Sequence, residues 1–202
     1  MPRTEEQFQE IREKTRNVIL SSALRLFALK GYHGTSINDI AKDAGISKGL
    51  AYNYFESKQK IVEAVLAQAF DETKFLEEGL LKIKDPFEKI KFIIESYFDM
   101  TKNNEEYWRL YFSLALQPEV IETARKITVE LANSFIENVE TLFKSLNVKN
   151  SHDEARMFVA LFDGLGLQYM IDKDNFPFEK MKKYFLKRYS KEGIQLLRKL
   201  NS

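Results

Sequence analysis

Residues 35–58 read TSINDIAKDAGISKGLAYNYFESK, and this pattern of small, turn and apolar residues decides the predicted fold. The segment opens with a short helix that either Thr35 or Ser36 can cap. The predicted buried face of this helix consists of Ile37, Ile40 and Ala41. Gly45 then permits a sharp turn with a positive φ, which other residues rarely adopt.

After the turn, Ser47 can cap a second short helix that ends near Phe55 and buries Leu50 with either Ala51 or Phe55. Isolated helices this short are marginal in water, so neighbouring helices must support the pair. Two such helices form a helix-turn-helix, whose second helix enters the DNA major groove. The second helix is predicted to expose Ser47, Lys48, Gly49, Tyr52, Asn53 and Tyr54. Hydroxyls, a lysine and helix N-terminal amides suit phosphate oxygens and base edges, and Lys58 would reach a backbone phosphate.

The rest of the chain also has helical spacing of apolar residues, without sustained period-two alternation. A first helix ends at Gly31, Asp85-Pro86 starts a later one, and Ser151 with Glu154 matches a capping box. The last helix is predicted from Phe178 to Leu200. The predicted fold is all-α, with about nine helices.

The composition is typical of a globular protein, with 44% hydrophobic and 30% charged residues among 202. The absence of cysteine excludes disulfides, thiol catalysis and Cys-ligated metal centres. No apolar run is long enough for a membrane span, and the acidic beginning of the chain does not fit a signal peptide. A cytoplasmic location and no membrane partner are therefore expected.

Residues 17–66 include FALKGYHGTSINDIAKDAGISKGLAYNYFESKQKIVEAVL, which resembles the DNA-binding signature of the TetR repressors. The matching positions are Phe27 to Gly31, Thr35-Ser36, Ile40-Ala41, Ala44-Gly45-Ile46-Ser47, Gly49, Tyr52, Tyr54-Phe55 and Lys58. Small, turn and aromatic residues agree in register, which makes the match specific.

The resemblance implies a homodimeric repressor that leaves a pseudo-palindromic operator when a small-molecule effector binds. It implies phosphate contacts from Thr35, Ser36 and Lys58, and a DNA backbone contact from Tyr54. The groups facing the bases would be Lys48, Gly49 and Tyr52. A three-helix DNA-binding domain over residues 1–60 would precede an effector-binding and dimerisation domain over residues 61–202.

The C-terminal part has no motif of its own, but it is rich in aromatic side chains. Helical domains line pockets with such residues as well as filling cores with them. The candidate pocket residues are Tyr97, Trp108, Tyr111, Phe112, Phe135, Phe162 and Tyr169. Because no cluster of unpaired charges stands out, we expect a mostly apolar effector.

The predicted helix from Asp153 to Asp172 is apolar around most of its circumference. Such a helix must be buried on more than one side, and a second subunit would supply one of them. With the last helix, it would form a symmetric four-helix dimer interface. The predicted interface residues are Phe158, Phe162, Leu165, Gly166, Phe185, Tyr189 and Leu196.

Two other classes of protein compete with a DNA-binding regulator. An enzyme finds little support, because His33 and His152 belong to no metal-binding or catalytic pattern and Gly164-Leu-Gly166 is no dinucleotide fingerprint. We therefore predict no catalytic residue, no metal and no cofactor. A helical adaptor that binds only protein would not need the exposed Lys48, Tyr52, Tyr54 and Lys58.

Overall fold

The computed structural model describes residues 4–68 and 78–200. Ten helices have defined bounds within these residues, residues 78–82 are helical as well, and no strand occurs among them. The ten are α1 (Glu5–Lys30), α2 (Ile37–Asp43), α3 (Lys48–Tyr54), α4 (Lys58–Gln68), α5 (Pro86–Asn103), α6 (Glu105–Ala115), α7 (Ile121–Ser145), α8 (Ser151–Ile171), α9 (Phe178–Arg188) and α10 (Lys191–Leu200). The all-α prediction is confirmed, with slightly more helices than expected.

Capping groups fix several of these bounds where the sequence placed them. Ser36, not Thr35, caps α2, and its hydroxyl and the Asp39 carboxylate form a reciprocal capping box. The Asp85 carboxylate accepts hydrogen bonds from two backbone amides at the start of α5. Gly31 ends α1 with a φ of 78°, and its amide donates to the Phe27 carbonyl. Local sequence chemistry therefore defines these helix ends.

The single helix predicted from Phe178 to Leu200 is in fact two helices, α9 and α10. The break falls at Tyr189 and Ser190, between the two helices. The Ser190 hydroxyl accepts a hydrogen bond of 3.2 Å from the Gly193 amide, as a helix-capping serine does. This serine is the local signal for the additional boundary.

The capping box predicted at Ser151 is wrong. Asn150, with a φ of 53°, precedes α8, and Ser151 lies inside the helix and is buried. Glu154 instead accepts a hydrogen bond of 2.8 Å from the Tyr189 hydroxyl, and the Arg188 guanidinium lies 3.7 Å from its carboxylate. Burial raises the pKa of Tyr189 above its ordinary value, which keeps its hydroxyl a donor to this carboxylate.

The chain divides into two compact units. The first comprises Met1–Asp71 with Arg109–Thr128, and the second comprises Glu72–Trp108 with Val129–Ser202. The division falls within α6 and α7, so each of these helices contributes residues to both units. The functional boundary after residue 60 stays a prediction.

The second unit has an aromatic core formed by residues of α5, α7, α8, α9 and α10. Phe158 lies at its centre, fully buried, with ring centroids 4.8 Å from both Phe162 and Tyr189 and 5.3 Å from Phe185. The contacts with Phe162 and Tyr189 are edge-to-face, and contacts of this kind stabilise a core beyond the burial of apolar area alone.

Among the described helices, none combines the length and apolar character needed to cross a membrane.

Gly166 in α8 makes room for a tyrosine hydroxyl. A Cβ atom at this position would lie 2.2 Å from the Tyr97 Oη. That hydroxyl donates a 2.5 Å hydrogen bond to the Phe162 carbonyl, and the two rings lie 4.3 Å apart. Burial raises the pKa of Tyr97 to about 12, so the hydroxyl stays protonated as a donor at neutral pH.

We therefore expect Gly166→Ala to lower the free energy of unfolding by about 1–2 kcal/mol, because the steric cost exceeds the gain of about 1 kcal/mol in helix propensity. Urea unfolding at fixed protein concentration measures this difference. Gly49→Ala in α3 is the control for helix propensity, since a Cβ there meets nothing within 4 Å. Gly166→Ala should cost less stability in a Tyr97→Phe background, and an equal cost in both backgrounds would exclude the hydroxyl clash as the cause.

Candidate nucleic-acid interface

Helices α2 and α3 form the predicted pair around a tight turn. Gly45 adopts a φ of 68°, and the Ile46 amide donates a 2.9 Å hydrogen bond to the Ala41 carbonyl. Ala41 in α2 and Ala51 in α3 are both buried, and these small side chains allow the short helices to pack closely. The arrangement leaves the opposite side of α3 facing solvent.

The solvent-facing side of α3 carries most of the predicted groups. The residues exposed there are Ser47, Lys48, Gly49, Tyr52 and Asn53, while Tyr54 is half-buried. The Lys48 ammonium lies 5.9 Å from the centroid of the Tyr52 ring. A Cβ at Gly49 would meet nothing within 4 Å, so no packing within the described chain requires this glycine. The surface combines a cation, an aromatic ring, an amide and open backbone.

The burial of apolar residues in and after α3 differs in part from the prediction. Leu50, predicted to be buried, is 38% exposed and lies on the outer side of α3. Ala51 and Phe55, proposed as alternatives, are both buried. Ser47 is exposed, but its hydroxyl also accepts a hydrogen bond from the Leu50 amide and so caps α3.

Thr35 lies inside the first unit, which corrects the predicted phosphate contact of its hydroxyl. Its side chain is buried. The hydroxyl is the donor to two backbone carbonyls, that of Gly31 at 3.0 Å and that of Leu26 at 3.2 Å. Ser36 remains exposed, although its hydroxyl bonds to Asp39. Of this pair, only Ser36 is accessible to DNA.

Lys58 is half-buried and already bound within the protein. Its ammonium donates hydrogen bonds of 2.7 Å to the Tyr32 carbonyl and 2.9 Å to the Thr35 carbonyl. It also lies 4.1 Å from the centroid of the Tyr32 ring. A phosphate contact from Lys58 would have to compete with these three interactions. In this structure the lysine instead stabilises the segment from Tyr32 to Thr35, which precedes α2.

The same region contains a contact that the sequence does not reveal. The Gln117 side chain, which follows α6, accepts a 2.9 Å hydrogen bond from the Tyr32 amide and donates one of 2.9 Å to the Phe27 carbonyl. Near it, the Gln59 amide donates a 2.8 Å hydrogen bond to the Thr123 hydroxyl. These contacts attach residues 117–123 to the end of α1 and the start of α4. No sequence motif marks Gln117, because its partners lie 85 and 90 residues away.

The seven candidate pocket residues do not form one group. Tyr97 and Phe162 contact each other in the second unit, where Phe135 packs against the same core. Tyr169 lies 4.4 Å from Phe178, between ring centroids. The remaining candidates are Trp108, which is half-buried in the second unit, and the neighbours Tyr111 and Phe112 of the first unit.

The structure also revises the residues expected at a dimer interface. Four of them are buried in the core of their own unit, namely Phe158, Phe162, Phe185 and Tyr189. Gly166 is buried beneath Tyr97, and Leu165 is half-buried. Leu196 alone of the seven is well exposed, at 61%. Helix α8 contacts α5, α7 and α9 through Phe158 and Phe162, and these contacts within one unit account for part of its apolar surface.

Comparison with known proteins supports the interpretation of this fold. Residues 19–65 match the family described as bacterial regulatory proteins of the tetR family, and residues 86–190 match the C-terminal family of BetI-type transcriptional repressors. The activator FasR of Mycolicibacterium smegmatis is 28% identical over 120 residues, which cover 58% of this chain and 55% of FasR. This chain therefore spans about half the length of that relative.

Two further proteins have greater coverage. IcaR, the negative regulator of the biofilm operon in Staphylococcus aureus, is 28% identical over 152 residues, covering 71% of this chain and 77% of IcaR. The structure of FadR from Bacillus subtilis in complex with stearoyl-CoA superposes with a TM-score of 0.71 at 18% identity, covering 87% of this chain and 97% of FadR. At that identity, the likeness to FadR establishes the fold alone.

The two family matches lie one after the other along the chain, and the second covers more than half of it. The first includes α2, the turn at Gly45 and α3, whose exposed side carries Lys48 and Tyr52. A helix-turn-helix with this surface and these matches favours a DNA-binding regulator over the enzyme and the adaptor. The chain belongs to the TetR family of helix-turn-helix transcriptional regulators.

Proposed function

We propose that this protein is a repressor that binds a pseudo-palindromic operator as a homodimer and leaves it when a small, mostly apolar effector binds. Two copies of α3 would enter successive major grooves, about 34 Å apart. The match to BetI-type repressors and the similarity to IcaR favour repression over activation. The similarity to FasR keeps activation as the second candidate.

The exposed side of α3 is the observation that carries this proposal. Lys48, Tyr52 and Asn53 offer hydrogen-bond donors, an acceptor and an aromatic face to base edges. The open backbone at Gly49 allows close approach. Ser36 and Tyr54, at the margins of this surface, are proposed to contact the DNA backbone. Thr35 and Lys58 support the surface from within the protein.

Selection of bound duplexes from a random DNA pool tests DNA binding directly. We expect enrichment of a pseudo-palindrome, with binding that weakens steeply as salt concentration rises. Operator placed upstream of a reporter gene then distinguishes repression from activation. A protein that enriches no sequence and binds no duplex at low ionic strength would contradict the proposed function.

The dimer is proposed to form through a stripe of small and apolar residues on the outer side of α8. Its members recur every three or four residues and are Met157, Ala160, Gly164, Leu167 and Ile171. Three of them are large and exposed, with Met157 at 53%, Leu167 at 46% and Ile171 at 76%. An exposed apolar stripe of this kind fits a symmetric contact with a second copy, to which Leu196 of α10 would add.

We expect Leu167→Glu to raise the dimer dissociation constant by at least about tenfold, because a carboxylate buried at a symmetric contact lacks a partner. Sedimentation velocity over a range of protein concentrations measures this effect. Leu81→Glu is the control, since Leu81 is 84% exposed and lies outside the stripe. If both variants dimerise like the unchanged protein, the stripe is not the interface.

The effector is proposed to bind in the C-terminal part of the chain, among aromatic side chains such as Tyr97, Phe135 and Tyr169. FadR of Bacillus subtilis binds stearoyl-CoA in its crystal structure, which makes a long-chain acyl compound a reasonable first probe. An effector releases DNA only to the extent that it prefers the DNA-free conformation. Operator affinity with and without stearoyl-CoA, and with stearate alone, tests this class. Equal affinities with all compounds that bind would contradict release by an effector.

A further inference from the structure

The N-terminal half of α1 extends beyond the packed part of the first unit. The helix is exposed from Glu5 to Lys14, and its buried residues begin at Ile19. Each residue turns an α-helix by about 100°, so positions seven or eleven residues apart share a side. Arg16 therefore lies on the same side as the fully buried Ala23 and Phe27, and Arg12 lies one turn before it. The side of α1 that is apolar in the core becomes cationic beyond it.

Arg16 connects this side of α1 to the recognition helix. Its guanidinium carbon lies 5.8 Å from the centroid of the Phe55 ring, and Phe55 is the residue that ends α3. A shallow depression of about 420 Å³ runs along α1 at this point. Its lining residues are Gln9, Arg12, Glu13, Arg16 and Asn17, which we call the arginine face.

The two guanidinium groups are available to an external anion. Within residues 4–68 and 78–200, no carboxylate oxygen lies within 4 Å of either Arg12 or Arg16, and both side chains are exposed. Lys14, by contrast, is not part of the arginine face and is paired with Glu10 at 2.8 Å. Guanidinium groups bind phosphate oxygens in a two-pronged geometry, which makes unpaired arginines suitable for nucleic acid.

We propose that the arginine face is a second DNA-binding surface, which contacts the sugar-phosphate backbone beside the groove that α3 enters. The inference rests on the proposed function, because it places DNA against α3. Continuity with the end of α3 and the two unpaired guanidinium groups favour DNA as the ligand. Gln9 and Asn17 supply further hydrogen-bond donors, while the Glu13 carboxylate opposes binding. Contacts of this kind increase affinity for every sequence without reading bases.

Arg12→Ala and Arg16→Ala test this surface, with Lys14→Ala as the matched control. Fluorescence anisotropy is measured on the selected site and on a random duplex at several salt concentrations. We expect each arginine variant to weaken binding to both duplexes about three- to tenfold, and to reduce the salt slope by about one. Lys14→Ala should change affinity less than about twofold. Arg16→Lys should weaken binding less than Arg16→Ala does, because the charge that attracts phosphate remains while the two-pronged geometry is lost.

Glu13→Gln gives a test of opposite sign, since loss of the carboxylate should strengthen binding to both duplexes about twofold. Thermal unfolding identifies any loss of stability in Arg16→Ala, which removes the contact with Phe55. Arg12→Ala leaves that contact in place and therefore tests the charge alone. If both arginine variants bind like Lys14→Ala while the unchanged protein binds its site, the arginine face is not a DNA contact and the proposed function stands. If the unchanged protein binds no duplex, both proposals are wrong.

Discussion

Replacing Lys58 by methionine is expected to lower the free energy of unfolding by about 2–3 kcal/mol. The ammonium donates to the carbonyls of Tyr32 and Thr35 at 2.7 and 2.9 Å, and its loss leaves both partly buried carbonyls without this donor. It also removes the charge that lies over the Tyr32 ring. Methionine keeps an apolar chain of similar length, so the variant mainly tests the ammonium. Urea unfolding at fixed protein concentration measures the effect.

Lys60→Met is the matched control, because Lys60 is exposed and pairs with Glu63 three residues further along the helix. We expect it to change stability by no more than about 0.5 kcal/mol. The result also separates two roles of Lys58. A lysine reserved for phosphate would leave stability unchanged on substitution and reduce the salt slope of DNA binding by about one. Equal stability of Lys58→Met and Lys60→Met would therefore contradict the structural role.

The parts of the fold that depend on local chemistry could be predicted from the sequence. Gly31 and Gly45 adopt the positive φ values that end α1 and form the turn. Ser36 and Asp85 cap the helices that follow them. Each of these features is determined by residues no more than four positions apart, which a sequence displays directly.

The sequence does not predict whether a side chain faces the core or a partner when its residue type suits both roles. A threonine before a helix suits both a phosphate contact and a bond to a neighbouring carbonyl, and Thr35 makes the second. An apolar helix suits both a dimer seam and a protomer core, and Phe158 lies in the core. Contacts with distant residues decide between such roles, and spacing alone carries no information about them.

Contacts between residues far apart in the chain could not be predicted from the sequence. Gln117 binds the end of α1, and Arg16 lies over the ring of Phe55. Neither residue belongs to a motif. For Arg16, the sequence did contain an indirect signal, because arginine occupies the register that is apolar later in the same helix. That signal becomes interpretable only when the end of the packed core is known.

Replacing Tyr52 by alanine is expected to weaken binding to the selected DNA site about 10- to 100-fold, which corresponds to about 1.4–2.8 kcal/mol. Tyr52 is 46% exposed at the centre of the outer side of α3, and its ring lies near the Lys48 ammonium. Its loss removes an apolar surface and a hydroxyl from the region that faces the bases. Because the side chain is largely outside the core, the melting temperature should change little. Fluorescence anisotropy on the selected and random duplexes measures both affinities.

The comparison of the two duplexes assigns the role of Tyr52. A residue that reads bases affects the selected site more than the random duplex, whereas a backbone contact weakens both about equally. Tyr52→Phe separates the ring from the hydroxyl, and an intermediate loss would show that both contribute. Tyr184→Ala is the control, because Tyr184 is 70% exposed on α9, in the second unit. Unchanged affinity of Tyr52→Ala for the selected site would exclude this residue from the interface and weaken the assignment of α3 as the recognition helix.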